Sequence, residues 1–107
     1  MSANVIDKAT SDAAGSPPDV ARRIVTICNQ RGLHARAAAR FVKTAAQFDA
    51  DVLVRKNGTE VSGRSIMGLM MLAAAPGTVI ELAATGRQAE AAVTALAKLI
   101  ECKFDEE

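Results

Sequence analysis

An α/β domain is what the sequence predicts: an open-faced sandwich in which three helices cover one face of a four-stranded antiparallel sheet. Three observations predict it. Apolar residues alternate with polar ones in several short segments and recur every three to four residues in others, so the chain switches between the strand and helix periods. Asn57-Gly58 stands between two strand-like segments and suits the positive φ values of a two-residue hairpin turn. The 107 residues, half of them apolar, suffice for one small core and for no second domain.

The elements follow in the order β-α-β-β-α-β-α. Residues 1–19 mix Ser, Ala, Asp and Pro, end in Gly-Ser-Pro-Pro-Asp, and show no apolar period, which reads as a disordered N-terminal tail ahead of a domain spanning residues 20–107. In the first strand Val25 and Ile27 alternate with Thr26 and Cys28. From Ala35 the residues Ala38, Phe41, Val42 and Ala45 repeat at helical spacing, with Arg36, Arg40, Lys43 and Gln47 on the other side, predicting an amphipathic helix to about Phe48. The hairpin strands Asp51–Lys56 and Thr59–Gly63 come next. Ser65 is placed to cap a short apolar helix, Ser-Ile-Met-Gly-Leu-Met-Met-Leu, whose Leu69 and Leu72 should face inward. A strand follows Pro76-Gly77. The last helix sets Ala89, Val93, Leu96 and Ile100 against Glu90, Thr94 and Lys98, with Thr85 and Gln88 spaced for a capping box. Together the helices supply the apolar faces that cover one side of the sheet.

Composition excludes several classes. Thirteen basic and twelve acidic residues leave a net charge of +1, which declares neither a nucleic-acid partner nor an acidic tail. Sheet-based RNA binding needs stacking aromatics, and the chain has three Phe, no Tyr and no Trp. Cys28 and Cys102 have no paired spacing and there is one histidine, which argues against a disulfide framework or a zinc site. No metal and no cofactor is expected. No apolar run has transmembrane length and no signal-peptide order is seen, so a cytoplasmic protein without membrane insertion is expected.

The lone histidine sits in Gln30-Arg31-Gly32-Leu33-His34-Ala35-Arg36, just before the first long helix. Backbone N–H groups are unpaired at a helix start, and the helix dipole is positive there. If one ring nitrogen, taken as Nδ1, accepts a bond from the Arg36 amide, a phosphoryl group nearby would meet backbone donors, the dipole and the Arg36 guanidinium. Imidazole is a nucleophile at neutral pH and also a good leaving group, which is what a transient phosphohistidine requires. On these residues alone, His34 as a plain surface cap is the more ordinary reading. A small-ligand regulatory module in which His34 does no chemistry is a further alternative.

Gly32-Leu33-His34-Ala35-Arg36 with its amphipathic helix, then Asn57-Gly58, then Arg64-Ser65-Ile66-Met67-Gly68-Leu69-Met70, resembles HPr, the histidine-containing phosphocarrier family of the bacterial phosphotransferase system. The resemblance runs from about Ala21 to the C-terminus. It implies that His34 takes a phosphoryl group from enzyme I and passes it to an enzyme IIA-type acceptor. Arg36 would clamp the phosphoryl oxygens, and a dedicated kinase would phosphorylate Ser65. Such a carrier has no turnover of its own and is expected to be a monomer. Ile66, Met67 and Met70, ringed by Arg36, Arg40, Lys43 and Arg64, would form a docking patch for acidic partner surfaces. Two departures stand out: Ala37 occupies the place where the family usually has proline, and the segment 1–19 precedes a domain that usually begins near its first strand. The Ser65–Leu72 segment and the Ala-rich helix also resemble members that serve nitrogen- and carbon-linked regulation as much as sugar transport.

Overall fold

The structure is a computed structural model that describes residues 20–106. The expected tail, residues 1–19, lies outside the described residues. Strand β1 (Val20–Thr26) leads to helix α1 (Ala35–Ala45), the hairpin β2 (Asp51–Lys56) and β3 (Thr59–Ser62), the short helix α2 (Ile66–Met71), strand β4 (Val79–Thr85) and helix α3 (Ala89–Glu101). The sheet has the order β1-β4-β2-β3, and each neighbouring pair is antiparallel.

Period-two patterning sets which face of the sheet is covered. Ala21, Val25, Ile27, Val52, Val54, Ile80, Leu82 and Ala84 are buried beneath the helices. Between them Arg22, Ile24, Leu53, Arg55, Val79 and Glu81 point to the bare face. There Arg55 bridges Glu60 at 2.7 Å and Glu81 at 3.1 Å, a charged row that shields the uncovered strands. Asn57 and Gly58, at φ 48° and 84°, make the hairpin turn with both central residues left-handed, as Asn-Gly allows.

The helices pack through small residues. Helix α1 buries Ala37, Ala38, Phe41 and Ala45, and α3 buries Ala89, Ala92, Val93, Leu96, Ala97 and Ile100. Alanine adds no bulk, so the helices lie close to each other and α3 lies close to β1, β4 and β2. Leu69 and Leu72 point inward from α2, as their spacing predicts.

Two local expectations are corrected. Helix α1 ends at Ala45 rather than near Phe48, because Gln47 and Phe48 donate to Thr44 and Ala45 in tighter turns. The Thr85–Gln88 capping box does not form. Thr85 is still held in β4 between Val20 and Asp51, and the Gln88 side chain instead accepts a bond from the Asp49 amide at 2.7 Å.

Strand directions give the sheet two distinct ends. β1 finishes and α1 starts at one end, where α3 also finishes. The opposite end holds Val20, Asp51 and Thr85 side by side.

Candidate functional site

Where β1 ends, the inward alternation of Val25 and Ile27 continues to a polar residue, the buried Asn29. The loop then turns at Gly32, with φ +66°. A Cβ there would stand 2.5 Å from the carbonyl oxygen of Ala74, so the close approach requires glycine. The amide of Leu33 donates to that same carbonyl at 2.9 Å, and Asn29 Nδ2 donates to the Gly32 carbonyl at 2.7 Å. The loop is pinned from both sides immediately before His34.

His34 has an extended backbone and occupies the position that precedes the first turn of α1. Its side chain makes no capping bond, which corrects the expectation of an Nδ1 contact with the Arg36 amide. The ring is instead engaged through its other nitrogen, Nε2, by the carboxylate of Glu106, 72 residues further on. The first intrahelical bond runs from the Ala38 amide to the His34 carbonyl, so the N–H groups of Ala35, Arg36 and Ala37 have no backbone acceptor among the described residues. Ala37 contributes one of these donors, where a proline would have none.

Glu106 is itself positioned. Its second oxygen accepts from Asn29 Nδ2 at 3.2 Å. The hydrogen bond to His34 is the main cause that holds its carboxyl below the ordinary value of 4.5, against the opposing effect of desolvation, with the Asn29 bond and the Arg31 charge helping. The side chains of His34 and Glu106 are 17% and 21% exposed, so the histidine is half-buried rather than a free surface cap. Lys103, Phe104 and Asp105 form a left-handed turn, with φ between 57° and 59°, that brings Glu106 back toward His34. Phe104 is fully buried and anchors that turn in the core.

Around His34 opens a cleft of about 680 Å³ whose walls include Arg31, Arg36, Arg40 and Lys103, against the two carboxylates of Asp105 and Glu106. The cations outnumber the anions, so the cleft favours an added negative charge.

The expected site residues divide between two places. His34 and Arg36 share the cleft, with Arg36 exposed. Arg40 also lines it, but its guanidinium donates to the Phe104 carbonyl and so clamps the C-terminal turn. Lys43 is exposed at the last turn of α1. Ser65 caps α2 as predicted, its Oγ accepting from the Gly68 amide at 2.9 Å. Arg64 lies toward the opposite end of the sheet from His34, its guanidinium reaching the Ala50 carbonyl at 3.4 Å. It therefore does not join the ring of cations around His34. Ile66, Met67 and Met70 are exposed, and Met71, which the sequence reading missed, is more exposed than any of them.

Asn29, Arg31, Lys103 and Glu106 were also not anticipated. Two signals existed: Asn29 falls on an inward strand position, and Phe104 stands four residues after Ile100, continuing the buried stripe of α3 beyond the helix. Nothing local marks Glu106.

Among the described residues, no helix is long and apolar enough to cross a membrane. The family described as the PTS HPr component phosphorylation site matches residues 21–102. A phosphocarrier protein HPr of Neisseria meningitidis serogroup A is 52% identical over 85 residues, covering 79% of this chain and 96% of the relative. A phosphocarrier protein NPr of Shewanella violacea is 43% identical over 84 residues, covering 78% and 92%. The crystal structure of an HPr from Thermoanaerobacter tengcongensis superposes with a TM-score of 0.78 at 45% identity, covering 81% of this chain and 98% of that one.

Proposed function

The chain belongs to the HPr family of phosphotransferase-system phosphocarriers, and on that premise we propose that His34 carries the phosphoryl group, accepting it from phospho-enzyme I and delivering it to an enzyme IIA-type acceptor. The observation that carries this reading is the placement of His34: at an uncapped helix start, in a cleft walled by four cations, with one ring nitrogen engaged by a carboxylate.

A carboxylate on Nε2 favours the tautomer with the proton on Nε2, which leaves the Nδ1 lone pair as the nucleophile. Nδ1 attacks phosphorus, the bond from phosphorus to the donor's leaving atom breaks, and its electron pair departs with the donor. In a loose, metaphosphate-like transition state the charge lies on the equatorial oxygens. The unpaired amides at the start of α1, the positive end of its dipole and the Arg36 guanidinium are the groups available to meet it. Delivery to the acceptor is the same step in reverse.

The reading includes docking through Ile66, Met67, Met70 and Met71, with the cations Arg36, Arg40 and Lys43 along α1, as a monomer. A kinase acting on Ser65 adjusts it from the start of α2. The resemblance of the Ser65–Leu72 segment to regulatory members favours a nitrogen- or carbon-linked acceptor.

The test is incubation with enzyme I and phosphoenolpyruvate labelled at phosphorus. Wild type should acquire acid-labile, base-stable label and pass it to an enzyme IIA-type protein. His34→Ala should acquire none while keeping its far-UV circular dichroism. Label retained by the folded variant removes His34 from the role.

A further inference from the structure

We infer that Glu106 is a positioning residue for His34: held by the buried Asn29, it keeps the proton on Nε2 and meets the positive charge that the imidazole gains when Nδ1 is phosphorylated. This rests on His34 being the carrier and deepens that reading.

Three features carry it. The Glu106 carboxylate is bidentate across two elements, one oxygen on His34 Nε2 and the other on Asn29 Nδ2 at 3.2 Å. Asn29 is buried and spends its other amide proton on the Gly32 carbonyl, so one side chain ties the loop before His34 to the carboxylate that orients the ring. Its Oδ1 is buried with no partner among the described residues, an arrangement that folding alone does not reward. The C-terminal turn that delivers Glu106 is fixed by buried Phe104 and by Arg40, whose guanidinium donates to the Phe104 carbonyl. Glu106 therefore stands on a built support.

The chemistry follows from proton bookkeeping. When Nδ1 takes the phosphoryl group with Nε2 still protonated, the ring becomes a cation, and a carboxylate on Nε2–H is worth more than it was beside the neutral ring. When the phosphoryl group leaves, the same Nε2 proton lets the ring depart as neutral imidazole. Without Glu106 the phosphorylated ring gives up that proton more readily, and loss of the phosphoryl group would then have to expel an imidazolate. The role parallels the buried aspartate that orients a histidine in hydrolase triads, holding the tautomer without exchanging the proton itself. The other charged or titratable groups facing the ring, Cys28, Arg31, Arg36, Arg40, Lys103 and Asp105, are common to wild type and variant, so a difference between the two reports Glu106.

The experiment compares wild type with Glu106→Gln, which keeps the shape and an acceptor oxygen but removes the charge, and with Glu106→Asp as the conservative variant. Nitrogen-15 NMR of the unphosphorylated protein reads the His34 tautomer directly and needs no partner. Loss of phosphorus-32 label across pH then reads the protonation of the phosphorylated ring. Wild type should be predominantly the Nε2–H tautomer. Glu106→Gln should populate the other tautomer several-fold more, and its profile for phosphoryl loss should move to lower pH by on the order of one unit, a tenfold change in proton affinity typical of one charge-assisted hydrogen bond. Glu106→Asp should fall between. Unchanged tautomer populations and superimposable profiles overturn the inference. If wild type takes no label but shows the tautomer difference, the carrier reading fails and the positioning contact survives.

Discussion

At the scale of single residues, His34 and Arg36 are neighbours with different tasks, one forming the bond to phosphorus and the other neutralising its oxygens. The Arg36 side chain is exposed and makes no hydrogen bond or ion pair among the described residues, so Arg36→Ala should leave the melting temperature within about 4 °C, since surface substitutions usually shift stability by no more than ~0.5 kcal/mol. Transfer from phospho-enzyme I should slow by about 10²-fold or more, the scale of one lost transition-state contact. Rapid-quench labelling checks this, and a wild-type rate would reduce Arg36 to a solvated charge. Glu106 adds a pH signature. Its carboxyl in the folded protein lies below the ordinary 4.5, so the stability it contributes is fully present above that value and is lost as the pH falls through the lowered one. Denaturant melts of wild type and Glu106→Gln, followed from neutral pH into the acid range, should therefore differ at neutrality and converge in acid. A gap that stays constant with pH refutes the linkage.

At the scale of elements, the starts of α1 and α2 solve the same problem differently. Helix α2 has a conventional side-chain cap in Ser65, whereas among the described residues the first amides of α1 have no acceptor and the histidine beside them is turned toward another partner. Ser65→Ala should cost about 1 kcal/mol by loss of the cap, read as a shift in the urea midpoint. Ser65→Asp retains a capping oxygen and puts negative charge at the helix start, so its stability should match wild type. Its labelling by enzyme I should slow, because the charge adjoins the exposed Ile66–Met67 surface proposed to meet acidic partners, and added salt should relieve part of the defect. Equal rates for Ser65→Asp and Ser65→Ala at low salt would leave Ser65 a plain cap. Elements of this kind were legible because their signals are local: an Asn-Gly turn, a Ser before an apolar run, an alternation of Val and Ile. The Thr85–Gln88 box was misread because strand pairing on both sides of Thr85 outweighs a local capping preference.

For the molecule as a whole, the C-terminal turn joins core to site. Phe104 is fully buried, and Phe104→Ala should cost about 3–5 kcal/mol on the general scale for such truncations. The same change should also slow His34 labelling, since the anchor that holds Glu106 is lost; thermal unfolding and labelling on one preparation measure both, and normal labelling would separate the core from the site. The motif around His34 could be read in the chain because its parts are contiguous. Its contact with Glu106 could not, because 72 residues separate them and the pairing depends on α3 running back to the end of the sheet where α1 begins. The two chain ends of the described domain consequently have unequal value as handles. Val20 lies beside Thr85 at the far end of the sheet, while Glu106 touches the reactive ring. A tag, surface tether or fused domain attached at the carboxyl end hangs its linker at the mouth of the cleft. The same cargo joined ahead of the first strand leaves that mouth open to partners.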